Sequence, residues 1–223
     1  MNYVISIVNP DALETLTDIC TELALPMTIA MRGHGTAVQS MLDLLGIEST
    51  EKRIVFTVAN EDKTAELIKA QRRYLHLGVP GHGLVVAVPM KSIGGGKAVS
   101  YLNGGENNLK YTPEINPDYE LIVAIGNEGC TDMIMNAARA AGARGGTVLH
   151  GKGTGSKESA KFYNVSIASE KEVILIVAGI EQKAGIMRSI LQNAGPDSKA
   201  GCIVFSLPTT AIAGFGMLSD NLY

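Results

Sequence analysis

The chain has 223 residues and a net charge of −3, with 46% hydrophobic and 18% charged residues, no Trp and 25 Gly. That length fits one large domain or two small ones. The near-neutral balance, with no basic block or Arg-rich helix, argues against nucleic acid as a main partner, because phosphate neutralisation needs clustered cations.

The first strand reads from Val4 to Val8. Asn9-Pro10-Asp11 is a helix start, with Asn9 as cap and Pro10 at the first helical position. Leu13, Leu16, Cys20 and Leu23 then share one helical face, and Pro26 ends the helix. A second strand from Met27 to Met31 leads into a glycine-rich turn, Arg32-Gly33-His34-Gly35-Thr36. The third strand runs from Ile54 to Val58. A helix starting near Glu61 carries Leu67, Ala70, Tyr74 and Leu77 on one face and ends at Gly78, and Leu84 to Val88 forms a fourth strand.

The same order then returns. Leu121 to Ile125 is a strand, and Cys130, Ile134, Ala137, Ala138 and Ala141 stripe a helix. Thr147-Val148-Leu149 is a strand ending in the turn His150-Gly151-Lys152-Gly153-Thr154, and Val173 to Val177 is the next. Ala184, Met187, Ile190, Leu191 and Ala194 stripe a second helix before Ile203-Val204-Phe205. Matching positions lie 116 to 119 residues apart, so one unit of domain size is duplicated. A β-α-β-β-α-β order is the ferredoxin-like arrangement. The expected fold is therefore α+β, with two tandem ferredoxin-like units and antiparallel sheets. The boundaries are 1–96 for the first repeat, 97–117 for a linker rich in turn formers, and 118–223 for the second. Units this small bury a modest core, and a bare sheet face needs cover, so association is expected.

No apolar run approaches the roughly 18 residues of a membrane span, and no signal peptide precedes the first strand. Cys20, Cys130 and Cys202 lack C-x-x-C spacing, which fits a reduced, cytoplasmic protein.

Glycines after a strand let the backbone turn sharply and present N–H groups to an anion. Two patches per copy qualify. Gly33 and Gly35 answer Gly151, Lys152 and Gly153, and Gly81 and Gly83 answer Lys199 and Gly201. The bland alternative is that these glycines only make tight connections. Gly146 to Lys152 has P-loop spacing, but Gly153 stands where Ser or Thr is needed. Ser156 replaces the third glycine of a dinucleotide fingerprint. His34 and His82 sit in glycine loops without paired-ligand spacing, so no metal site is assigned. No Cys or Ser sits in a recognisable nucleophile elbow, so no catalytic residue is assigned.

The run Thr147 to Gly153, a loop, Lys171 to Val177, a helix, and Gly195 to Pro208 together resemble the P-II nitrogen-regulatory proteins. The resemblance implies a non-enzymatic, oligomeric signal transducer. Such proteins bind ATP or ADP in clefts between subunits, with 2-oxoglutarate and magnesium alongside, and a long loop docks onto regulated enzymes, transporters or regulators. It implies that Gly151 and Gly153 open that loop beside the nucleotide, with Gly35 the first-copy counterpart, and that Gly201 closes the phosphate loop, with Gly83 its twin. Gly155 falls near the family's glutamine, Cys202 stands for its phosphate-loop lysine, and Ala213 and Phe215 stand for its two arginines. Tyr163 lies near a tyrosine that is modified in some members. Val38, Met41, Leu42 and Leu45 give the first long loop helical spacing. The expected function is sensing of a small anionic metabolite at inter-repeat clefts. A metal-binding protein or small enzyme on this fold, or a ligand-free assembly unit, are the alternatives.

Overall fold

A computed structural model describes residues 1–36, 50–79, 81–102, 112–153, 161–162, 165–166 and 170–214. In chain order the elements are β1 (Asn2–Val8), α1 (Leu13–Glu22), β2 (Thr28–Gly35), β3 (Glu51–Ala59), α2 (Glu61–Tyr74), β4 (Gly83–Pro89), α3 (Gly96–Leu102), β5 (Tyr119–Asn127), α4 (Thr131–Ala140), β6 (Thr147–Lys152), β7 (Lys161–Phe162), β8 (Val165–Ser166), β9 (Glu170–Gly179), α5 (Ile180–Ala194), β10 (Ile203–Pro208) and β11 (Ala211–Ala213). Contacts divide the chain into two compact units. One is Met1–Arg32, Glu51–Tyr119 and Pro208–Tyr223, and the other is Gly33–Thr50 and Glu120–Leu207.

In the first unit the strand order is β2-β3-β1-β4-β11. Central β1 pairs antiparallel with β3, from Asn2↔Ala59 to Val8↔Arg53, and with β4, from Asn2↔Pro89 to Val8↔Gly83. In the second unit the order is β10-β5-β9-β6, with the Gly33–Gly35 end of β2 pairing antiparallel to the start of β6. Reading each unit's four main strands from its fourth, both give fourth, first, third, second. Both units therefore have the ferredoxin-like sheet, and the duplication seen in the sequence is present in the topology.

The cores follow the periodicity. In the first unit Val4, Val8, Val55, Ala59, Val85 and Ala87 face Leu16, Ile19, Cys20, Leu67 and Ile68 from α1 and α2. In the second, Ile122, Ala124, Val148, Ile174 and Ile176 meet Ile134, Met135, Ala138, Ile186 and Ile190 from α4 and α5. Each large buried side chain contributes about 1.5–3 kcal/mol. The alternate strand residues Ile5, Ile7, Ile54, Val58 and Val86 are buried as well, so the second face of that sheet is covered.

Local signals explain most element ends. Asn60 caps α2, accepting from the Lys63 backbone N–H at 2.9 Å, with Glu61 and Asp62 in the first turn and Arg72 and Arg73 in the last. Asn9 occupies a cap position before a 3-10 turn at Pro10–Ala12, but its side chain makes no cap bond. It accepts instead from the Lys52 ammonium at 2.5 Å, a stronger charge-assisted bond. The two glycine-rich turns are strand ends: Gly33, His34 and Gly35 lie within β2, and Gly151 and Lys152 within β6. Ladder hydrogen bonds extend both strands past the apolar residues that mark them in sequence. The α3 helix falls almost wholly within the stretch 97–117 expected as a linker, and β11 where no element was expected. The helical spacing at Val38 to Leu45, Tyr163 and Phe215 all lie outside the described residues.

Candidate functional site

The second unit gathers most of the candidate residues at one sheet end. Strand β5 finishes there at Asn127, β6 finishes at Lys152, β9 begins at Glu170, and the loop 195–202 leads into β10. The register places Gly151 opposite Lys171 and Lys152 opposite Glu170. Asn127 is the hub. Its Oδ1 accepts from the Lys171 ammonium at 2.6 Å, its Nδ2 donates to the Lys199 carbonyl at 2.9 Å, and its backbone N–H donates to the Ala200 carbonyl at 2.8 Å. Gly201 turns at φ +52° directly against this side chain. Gly151, Lys152, Lys171, Lys199 and Gly201 are thereby linked through one strand pair and one asparagine, with Gly153 immediately beyond β6. Lys152 pairs with Glu170 at 3.2 Å, an exposed bridge worth about 0–1 kcal/mol. The Lys199 side chain is exposed and makes no ion pair among the described residues.

The first unit holds the same device at the matching place. The Lys52 ammonium donates to Asn9 Oδ1 and, at 3.1 Å, to the Gly81 carbonyl in the loop before β4. Lys52 answers Lys171, Asn9 answers Asn127, and both clamps tie the end of a first strand to the start of a third. Motif spacing alone did not single out these lysines and asparagines, yet the repeat marks them, since each recurs 118 or 119 residues on.

The remaining candidates lie elsewhere. Gly81 is open, and Gly83 is packed against β1, with no room for a Cβ. Gly35 lies opposite Thr147 and His34 opposite Val148, so the first-copy glycines run alongside the start of β6 and away from Gly151–Gly153. The Gly35 N–H donates to the Thr50 carbonyl at 2.7 Å, and the Gly201 N–H to the Ser198 carbonyl at 3.1 Å. These two amides are engaged within the protein, so the cationic side chains carry the greater part of any attraction for an anion.

Two positions to which the P-II resemblance assigns cations are core here. Cys202 is fully buried, and burial pushes its thiol up to about 11 against a weaker opposing hydrogen bond from the Ile125 backbone. Ala213 is also fully buried, in β11.

No family model matches the chain, and no curated protein matches it. Among solved structures, the Arabidopsis thaliana PII protein bound to citrate superimposes with a TM-score of 0.32 at 20% identity, covering 42% of this chain and 76% of that one. An unknown protein from Galdieria sulphuraria superimposes with a TM-score of 0.29 at 10% identity, covering 93% of this chain and 97% of that one. These are distant likenesses. The strand order, rather than either superposition, carries the fold assignment.

Beside the lysines sits a nearly buried carboxylate, Glu172, 4% exposed. It accepts from the Gly129 N–H at 3.1 Å and the Thr131 hydroxyl at 2.7 Å. Burial works to raise its pKa, but the Thr131 and Gly129 bonds, the nearby His150 and the Thr131 amide together hold the carboxyl below its ordinary value. Because the folded pKa is depressed, the stabilisation is complete above the ordinary carboxylate range and is lost as pH falls through the folded pKa. Glu172→Gln is therefore expected to be less stable than the parent at pH 7, with the gap closing as acid protonates Glu172. Urea midpoints compared from pH 7 down to pH 3 test this, and a gap independent of pH would contradict it.

The described histidines form two close pairs, His34–His150 and His76–His82, rather than the His34–His82 pair weighed from sequence. Among the described residues no group of three or more His, Cys, Asp or Glu is arranged to hold a metal, and no helix is long and apolar enough to cross a membrane.

Proposed function

We propose that the chain is a non-enzymatic, P-II-like regulatory protein of nitrogen metabolism that senses a small anionic ligand, an adenine nucleotide or similar. The ligand binds at the second unit's sheet end, and the segments following β2 and β6 present the result to a regulated enzyme, transporter or regulator. The chain works as a homo-oligomer built on two copies of one unit, 1–96 and 118–223, joined by 97–117. One observation carries this reading: Lys152 and Lys171, on neighbouring strands, and the Lys199 backbone meet at a single glycine-bordered strand end. Such a site needs cations and backbone dipoles, not acid–base machinery. The first sequence copy offers less charge, since Lys152 is answered there by His34 and Lys199 by the Pro80–Gly81 stretch. With Cys202 buried, Lys199 takes over the anion contact that the P-II resemblance gives to that position.

A thermal-shift panel of ATP, ADP, AMP, 2-oxoglutarate and bicarbonate, each with and without magnesium, tests the reading. A ligand that binds only the folded state stabilises by mass action, about 2.7 kcal/mol at one hundred times its Kd. At least one nucleotide is expected to raise Tm, and Lys152→Ala with Lys199→Ala to abolish the rise. No shift with any anion of the panel would reduce the likeness to a shared fold.

A further inference from the structure

The imidazoles of His34 and His150 lie side by side in the second unit, with ring centroids 5.3 Å apart and planes inclined by 30°. The sheet register explains why. His34 on β2 is directly opposite Val148 on β6, and directly opposed residues of an antiparallel pair project to the same face. His150 is two residues beyond Val148 and shares that face. The two histidines are thus a diagonal cross-strand pair, fixed by two backbone ladders rather than by a loop. The face continues onto β9, where Glu172 is opposite His150. Its carboxylate is locked by Gly129 and Thr131 and leaves a negative charge next to the imidazole.

We propose that His34 and His150 form a binding site for a divalent transition-metal ion of the Zn²⁺ or Cu²⁺ class. Neutral imidazole is a good ligand for these ions. Two rings on adjacent strands supply two nitrogen ligands, and solvent completes the coordination, since no third His, Cys, Asp or Glu is placed to join them among the described residues. Glu172 is an outer-sphere charge, the role carboxylates commonly play beside metal-bound histidine. His150 is exposed and His34 half-buried, so the site is open to an ion from solvent. The other pair, His76 and His82, is a poorer chelate: its centroids are 6.3 Å apart, edge to face, and both residues lie outside the regular strands and helices. A metal bridging the pair would fasten the end of β2 to β6.

The test uses the full, untagged chain, with Cu²⁺ and Zn²⁺ as probes. Electron paramagnetic resonance of one equivalent of Cu²⁺ is expected to show two nitrogen ligands, and Zn²⁺ to raise Tm by mass action. His34→Asn and His150→Asn should each remove the two-nitrogen signal, and Glu172→Gln should weaken binding about tenfold or more. The double variant His76→Asn/His82→Asn should bind as the parent does. Retention of the signal in either His34→Asn or His150→Asn, or its loss in the His76/His82 variant, would overturn the proposal. Should a histidine variant fail to fold, the parent spectrum decides: fewer than two nitrogens, or no bound Cu²⁺, refutes the site. Anion binding in the thermal-shift panel is a separate readout, so either site can fail alone.

Discussion

Gly83→Ala is expected to cost about 3 kcal/mol or more of folding stability, among the larger effects a single substitution produces. Gly83 opens β4 at φ +132°, a backbone conformation that side-chain-bearing residues rarely adopt. A Cβ there would stand 2.2 Å from the Ile7 carbonyl oxygen, which belongs to the central strand and cannot swing away. The β1–β4 ladder would have to part at Val8↔Gly83. Gly81 supplies the control. It too has positive φ, at +87°, but nothing lies within 4 Å of its Cβ position, so Gly81→Ala should cost only about 1–2 kcal/mol. Urea midpoints of the two variants give the comparison, and equal losses would contradict the close approach of β4 to β1.

The second large effect has the opposite sign. Gln71→Leu is expected to stabilise the protein by about 1–3 kcal/mol. Gln71 lies on the inner face of α2 and is fully buried, and among the described residues neither its Nε2 nor its Oε1 has a hydrogen-bond partner. A buried amide without partners forfeits its hydration for nothing, so an apolar side chain of similar size removes that penalty. The duplicated unit makes the same choice: Ile190, 119 residues on, is a fully buried core residue of α5. Thermal unfolding reads the result, since for a chain of this size each kcal/mol moves Tm by about 2–4 °C. A lower Tm in Gln71→Leu would mean that water or another group satisfies the amide in the folded protein.

The repeat, the strand order and most of the core were legible because apolar periodicity and β-branched runs are strong local signals. Val4 to Val8 and Ile54 to Val58 lie inside β1 and β3, and Ile134, Ala137, Ala138, Ile190 and Ala194 are buried where the stripe placed them. The stripes failed where tertiary position outweighs hydrophobicity. Tyr74 and Leu191 are each 54% exposed, while polar Gln71 and Thr64 point inward. Helical spacing alone cannot tell the centre of the buried face from its margin. Gly33 to Gly35 and Gly151 to Lys152 read as turns because glycine disfavours strands, yet pairing across the sheet holds both stretches extended. Of the candidate site, the glycine borders and Lys152 and Lys199 were visible as a motif. The Lys171–Asn127 and Lys52–Asn9 clamps were not, because a lysine opening one strand and an asparagine closing another become a pair only once the sheet forms.

The second unit's sheet end as the anion site is best tested by following backbone amide resonances of the full chain during titration with ADP and, separately, with inorganic phosphate. Asn127, Gly151 to Gly153, Lys171 and Lys199 to Gly201 are expected to shift together, while Asn9, Lys52 and Gly81 stay in place. Shifts confined to the first unit, or a spectrum unmoved by either ligand, would contradict it.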